Sequence, residues 1–287
     1  MLQYQNSNSF MHRMVAWKPV GQWLLFFACH LIAPISVQAQ TIPEQGIAPF
    51  EVVYEVGNNL ISAGSAKLSL NKEGDDWVYR LSTKPTGIFK LTGKGRVQEV
   101  SVIDIVQSGD SVQLHPKKYT YRQDKEKRRS VDAFFDWSNN QLTWTKRGET
   151  VTETFSAPVL DRLSVTLAVM NALRSEFEEK QMQVFDNGRV KTMQFINEGK
   201  EILDTKLGEI ETIRVRSSQA KKNSSRYSLT WFAPALDYVP IKIEQHKRDK
   251  LVARLSLQRL VNRVTDIELE DEAMDDVAPP PDAGLGD

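Results

Sequence analysis

Cysteine is all but absent. Cys29 is the only one in 287 residues, and it lies in an N-terminal segment that the chain is expected to lose. The mature chain then holds no thiol. Disulfides, thiolate metal sites and thiol nucleophiles are excluded, and stability must come from an ordinary apolar core. Histidine is nearly as scarce. Beyond residue 39 only His115 and His246 remain, far apart in sequence and in strand-like surroundings, so they read as packing residues. Metal sites want His, Cys and carboxylates at fixed offsets. The adjacent pairs Asp75-Asp76 and Glu178-Glu179 read instead as solvated loop residues. There is no Gly-x-Ser-x-Gly elbow. Gly93-Lys94-Gly95-Arg96 is glycine-rich, but Gln98 stands where a dinucleotide fingerprint needs its third glycine, and no Gly-Lys-Ser/Thr P-loop ending follows. These absences point to a protein without catalysis, cofactor or metal.

Acidic residues are missing before Glu44, where the only charged side chains are Arg13 and Lys18. The apolar runs Trp23 to Ala28 and Leu31 to Ala33 follow, and the stretch ends in Val37-Gln38-Ala39. That order is the plan of a secretory signal peptide cut between Ala39 and Gln40. The run is too short and too interrupted, by Pro34, Gln38 and Gln40, for the roughly 20 apolar residues of a comfortable bilayer span. The expected location is the periplasm of a Gram-negative-type envelope; the alternative is an anchor retained through an uncleaved N-terminus. A lipid-acceptor role for Cys29 is disfavoured, because Phe26-Phe27-Ala28 poorly matches the leucine-small-small pattern of such sites. No later stretch is long and apolar enough to cross a membrane as a helix.

The whole chain has 37 basic and 37 acidic residues. Charge becomes informative when divided. Residues 262–287 carry nine acids against Arg263, a net of −8, with Pro279-Pro280-Pro281 near the end. So acidic a segment with so little to bury is expected to be disordered, a solvated terminus or an interaction tail. Residues 40–261 are left at +6. Basic clusters sit at expected hairpin tips: Arg122, Lys125, Lys127, Arg128 and Arg129 in one, Lys221, Lys222 and Arg226 in another. No aromatic platform interleaves with them, and an exported protein seldom meets nucleic acid, so nucleic-acid binding is not expected. They suit an anionic lipid headgroup, an acidic envelope partner, or simply charged tips that keep sheet edges soluble.

What the sequence has in quantity is alternation. Phe50, Val52, Tyr54 and Val56 recur at period two, as do Ala66-Leu68-Leu70, Val131-Ala133-Phe135-Trp137, Leu142-Trp144, Ile213-Val215, Leu229-Trp231, Ile241-Ile243 and Leu251 to Leu257. Period two marks half-buried strands. Gly57-Asn58-Asn59, Glu73-Gly74-Asp75, Ser108-Gly109-Asp110, Ser138-Asn139-Asn140, Asn187-Gly188 and Arg248-Asp249-Lys250 punctuate them. Asn187-Gly188 carries the strongest hairpin signal. One segment breaks the rhythm. Leu160, Leu163, Leu167, Met170, Leu173 and Phe177 share a helical face, with Pro158 and Asp161 at the entry and Arg174 near the exit. The predicted fold is mainly β: a large, strongly curved antiparallel sheet, half-barrel or barrel-like. One amphipathic helix at about 160–176 packs on it. The predicted organisation is a signal peptide (1–39), a short linker (40–47), one β domain (48–261) and the acidic tail (262–287).

Several segments in order resemble a family of bacterial exported proteins catalogued as domain of unknown function 3108. They are Phe50 to Tyr54, Ala63 to Ala66, Thr86-Gly87, Phe135-Asp136-Trp137, Asp161-Arg162-Leu163-Ser164, Gly208 to Val215 and Trp231 to Glu244. The resemblance covers about 48–257. It implies a periplasmic β-rich domain, akin in shape to lipoprotein-carrier half-barrels, and supplies neither a reaction nor site residues.

Two function classes follow. In the first, the curved sheet and its helix hold an apolar or acyl-chain ligand, with Leu163, Leu167 and Met170 on the binding face. In the second, a structural or regulatory envelope protein works through protein contacts. The chain is expected to be a monomer. Export generates the first prediction: N-terminal sequencing of envelope fractions finds Gln40 as the first residue. A start at a lipid-modified Cys29, or retention of residues 1–39, contradicts it.

Overall fold

A computed structural model describes residues 48–58, 61–87, 95–108, 111–221, 224–262 and 267–270. The expected signal segment, its Ala39–Gln40 junction, the linker and most of the acidic tail lie outside the described residues.

The chain climbs and descends through β1 (Phe50–Gly57), β2 (Ser62–Glu73), β3 (Asp76–Pro85), β4 (Val97–Ser108) and β5 (Ser111–Gln123). It reaches one sheet edge through β6 (Val131–Asp136), β7 (Gln141–Lys146) and β8 (Glu149–Thr154). Then come the short β9 (Val159–Asp161) and the helix α1 (Ser164–Arg174). The second half runs through β10 (Glu179–Phe185), β11 (Val190–Thr205), β12 (Gly208–Gln219), β13 (Arg226–Ala233), β14 (Val239–Lys247) and β15 (Lys250–Asn262). β15 pairs with β1, so both halves join into one continuous sheet that begins at β8 and ends at β9. The architecture is the curved, barrel-like sheet with one helix that the alternation predicts. One feature differs: β9 runs parallel to β10, while the other pairings on the path are antiparallel. A last strand, β16 (Ile267–Glu270), pairs with β15 within the segment expected to form the acidic tail.

Turn chemistry sits where the sequence places it. Asn187 and Gly188 both take positive φ, 56° and 82°, as a tight type I′ hairpin requires. Arg248 and Asp249 do the same at the β14–β15 tip. In an antiparallel meander, alternate connections lie at the same end. The β1–β2, β3–β4, β5–β6, β7–β8, β10–β11, β12–β13 and β14–β15 connections therefore share one end, the upper, and the others share the lower.

The two edges, β8 and β9, do not pair with each other. Side chains bridge them. Phe185 of β10 packs edge-on against Tyr119 and Phe135, each at 6.3 Å, and tilts against Trp144 at 5.4 Å. Aromatic edge contacts of this kind add about 0.5–1.5 kcal/mol each beyond the area they bury. At the same end, Lys146 donates to the carbonyl and the side-chain oxygen of Asn187, at 3.0 and 2.6 Å.

The helix is shorter than the periodicity suggests, because residues 159–161 are claimed by pairing with β10. Pro158 thus precedes a strand rather than entering the helix. Asp161 starts the helix by a reciprocal cap. Its Oδ1 accepts from the backbone N–H groups of Leu163 (2.8 Å) and Ser164 (2.9 Å), and its own N–H donates to Ser164 Oγ (2.9 Å). Leu167, Met170 and Leu173 are fully or almost fully buried along the helix. They belong to the same core as Phe50, Leu70, Ile103 and Leu142. Burying each such side chain stabilises the fold by roughly 1.5–3 kcal/mol. Leu167→Ala is therefore expected to cost about 2–5 kcal/mol in a urea melt. A loss under about 1 kcal/mol would show that the helix is not packed as described.

Candidate functional site

The interior is not filled throughout. A partly enclosed cavity of about 470 Å³ lies between the upper half of the sheet and α1. Its wall residues mark its position along the strands. Val56 is next to last in β1, Thr83 near the end of β3, Val97 first in β4 and Ser217 near the end of β12. Each lies near the upper end of its strand. Deeper walls are apolar, with Leu68, Leu81, Val169, Phe195, Val215 and Phe232. Toward β12 and β13 the lining turns to hydroxyls: Ser217, Ser228 and Thr230.

That polar lining inverts the sequence pattern of β13. Tyr227, Leu229 and Trp231 alternate with Ser228, Thr230 and Phe232, and it is the hydroxyl-bearing phase that faces the cavity. Trp231 packs on the outer face, where its indole N–H donates to Glu201 Oε2 at 3.1 Å and Lys242 Nζ sits 4.1 Å from its ring. It is 3% exposed even so. A strand can hide an aromatic on either face if cations and carboxylates cover it.

One wall is ionic. Arg162, just before α1, is held by Glu99 of β4: Nε donates to Oε2 at 3.1 Å and Nη2 donates to Oε1. Tyr119 donates its hydroxyl to the same Oε2 at 2.9 Å. The Arg162 guanidinium lies 5.7 Å from the Tyr121 ring. The Glu99 side chain has no exposed surface, whereas that of Arg162 retains 47%. Arg162 also lines the cavity. Burial opposes its charge, but the Glu99 carboxylate overrides that and raises its pKa above the ordinary arginine value. Burial, with Glu99 beside it, pushes the Tyr119 phenol up in the same way.

Asp161, one residue earlier, is fully buried. Its second oxygen accepts from Ser101 Oγ at 2.5 Å. Burial raises its pKa against the pull of these hydrogen bonds. Tyr79, opposite Ser101 in the register, is also fully buried and lines the cavity floor. Its hydroxyl has no hydrogen-bond partner among the described residues.

The structure divides the three helix residues predicted to bind. Leu163 borders the cavity, while Leu167 and Met170 lie in the filled part of the core. The helix instead offers Val165, Thr166 and Val169 to the cavity. Of the remaining cavity polar groups, Arg162 carried a signal only as part of the Asp161-Arg162-Leu163-Ser164 motif. Glu99 carried none, because β4 (Val97-Gln98-Glu99-Val100-Ser101-Val102) puts apolar residues in both phases. The histidines do not border the cavity. His115 stacks on Trp137 at 4.0 Å, and burial lowers its pKa. His246 stacks on Tyr227 at 4.8 Å and hydrogen-bonds Glu244 at 3.0 Å. No group of three or more His, Cys, Asp or Glu among the described residues could hold a metal ion.

The family model described as Protein of unknown function (DUF3108) matches residues 50–249. The chain belongs to that family. Comparison with curated proteins finds no match. Among solved structures, this DUF3108 protein is similar to a β-barrel-like protein of the DUF1849 family from Brucella abortus. The two share 10% identity and a TM-score of 0.47, over 74% of this chain and 97% of that one. It also matches a protein from Parabacteroides distasonis provisionally described as a lipoprotein, at 10% identity and a TM-score of 0.28, over 75% and 95%.

The buried carboxyl of this DUF3108 protein generates a pH prediction. A raised folded-state pKa means that the fold binds the Asp161 proton more tightly than the unfolded chain does. The stability from that proton is fully present below the unfolded aspartate value and is lost as pH rises through the folded value. In paired urea melts across acidic to neutral pH, the wild type should therefore lose stability relative to Asp161→Asn as pH rises. The opposite trend would mean that the hydrogen bonds outweigh burial.

Proposed function

We propose that this protein is a non-enzymatic binding module of the bacterial envelope, exported to the periplasm, which holds an apolar or acyl-chain molecule inside its curved sheet. The observation that carries this reading is the cavity itself. Protein interiors are close-packed, and a space of about 470 Å³ under the helix lies within the range of small-ligand sites. Its lining has the composition of such sites: apolar walls with a few convergent polar groups. The Arg162–Glu99 pair and the Tyr79 hydroxyl supply polar partners for a ligand's head, while Leu68, Leu81 and Phe232 take its chain. Leu163, Val165 and Val169 act as the helix contribution to the site.

A second reading, in which the protein works through contacts with other envelope proteins, is favoured by the β8 edge. All six of its residues are exposed, and an open edge is a template for another strand.

The test uses a cavity-filling change. Thr230 points into the cavity from the middle of β13, and Thr230→Trp places a large ring there. The wild type is expected to bind a fluorescent fatty acid saturably, and the variant to lose that binding by tenfold or more with its melting temperature within a few degrees. Native mass spectrometry of protein purified from its own periplasm should show a bound apolar mass. No saturable binding and no such mass would overturn the carrier reading and leave the partner-protein reading.

A further inference from the structure

Charge is sorted between the two ends of the sheet. The upper-end connections carry Lys127 and Arg128 between β5 and β6, Arg147 between β7 and β8, and Arg189 between β10 and β11, all exposed. Lys221 and Arg226 at the β12–β13 tip, with Lys247, Arg248 and Lys250 at the β14–β15 tip, continue the series and are exposed too. Acids are present at this end in smaller number: Glu126 pairs with Arg129, Asp132 with Arg122 and Asp186 with Lys191, while Asp124, Glu149 and Asp249 are exposed. The lower end differs in sign. Its connections and strand ends carry Glu73, Asp75, Asp76, Asp136, Glu178, Glu179 and Asp204 against Lys72, Lys180 and Lys206; Arg80 pairs with Glu73 and Lys117 with Asp76.

Three of the upper tips converge. Lys127, Arg128, Lys146 and Arg147, with Asp132 as the one acid, line a shallow depression of about 580 Å³, and Lys146 reaches from there to Asn187 on the β10–β11 tip. Like charges are crowded here. Burial, and then Arg147 and Arg189 nearby, lower the Lys146 pKa. Such crowding costs stability in the free protein and is relieved by an anionic counter-surface.

From this placement we infer that the upper rim docks on an anionic membrane surface, which turns the mouth of the interior cavity toward the lipid headgroups. A membrane fits better than an acidic peptide. The basic residues are spread over five hairpin tips at one end of the sheet, so a flat, delocalised field of anions can meet them together, while a single extended peptide meets one or two tips. The cavity occupies the same upper half. The inference deepens the carrier reading and rests on it only for the purpose of docking. The electrostatic contact stands on the charge distribution alone.

The experiment is co-flotation of the full chain with vesicles of phosphatidylcholine, with or without a third of phosphatidylglycerol. The wild type should float with the anionic vesicles at low salt and be released as salt rises, because these interactions are screened. Each basic side chain near such a surface is worth about fivefold in partition. Lys127→Glu with Arg147→Glu should therefore weaken binding by at least about tenfold. A control with the same change in net charge, Lys72→Glu with Lys180→Glu, reverses two exposed lysines near the lower end and should leave flotation within about twofold. Thr230→Trp should float like the wild type even if it loses the fatty-acid probe, which separates docking from cavity binding. Equal binding to neutral vesicles, equal loss in both double variants, or no flotation at all would overturn the proposal. So would capture by a polyglutamate matrix without any vesicle binding.

Discussion

The structure turns on a polar junction at Asp161 and Arg162, built on the buried carboxyl groups of Asp161 and Glu99. Asp161 ends β9 and Arg162 lies between it and α1, on the second half of the sheet. Both reach across to β4 on the first half, Asp161 to Ser101 and Arg162 to Glu99. The sheet's free edges do not pair, so no backbone ladder holds the halves in a closed curve there. The junction supplies a substitute in side chains. Stripping water from a carboxylate is expensive unless hydrogen-bond donors replace it. Glu99 meets this cost with three donors: two from Arg162 and one from Tyr119. Asp161 meets it with Ser101 and two backbone N–H groups of the helix start.

The same junction decides where the helix lies and therefore where the interior is empty. Because α1 begins at the upper end and is capped against β4, its apolar residues run down into the lower half. There Leu167, Met170 and Leu173 complete the core. The upper half is left to the residues beside the cap. An ionic pair, a buried phenol and a set of hydroxyls surround a space that the helix borders with Val165, Thr166 and Val169 but does not fill. The cavity is thus a consequence of helix placement, and its polar pole is the device that fixes that placement. Position and polarity of the candidate site have one cause.

Legibility from sequence differs along the chain for physical reasons. Strands with one face in the filled core alternate cleanly, and Phe50, Val52 and Tyr54 or Val131, Ala133 and Phe135 bury as the pattern indicates. The cavity-facing strand β13 does not. Ser228 and Thr230 look outward-facing by composition yet point in, since an unfilled interior places no demand for apolar side chains. Glu99 could not be found by pattern, because its burial depends on an arginine 63 residues later. The helix face was readable from spacings of three and four. Its division into core-filling Leu167 and Met170 and cavity-lining Leu163 was not, because spacing reports which side of a helix is apolar and says nothing of what fills the space beneath it.

By itself, then, the sequence determined a mainly β chain with one helix, a fold without thiols, its hairpin turns and the phases of its core strands. These follow from local backbone preference and from the period of side-chain direction, which neighbouring residues encode. Only the tertiary structure decided that the first and last long strands pair, that a three-residue strand runs parallel before the helix, that Glu99 meets Arg162, and that the basic tips gather at one end around a cavity. Each of these joins residues far apart in the chain, and such joins arise from chain topology and from the balance of burial against desolvation, which no local window contains.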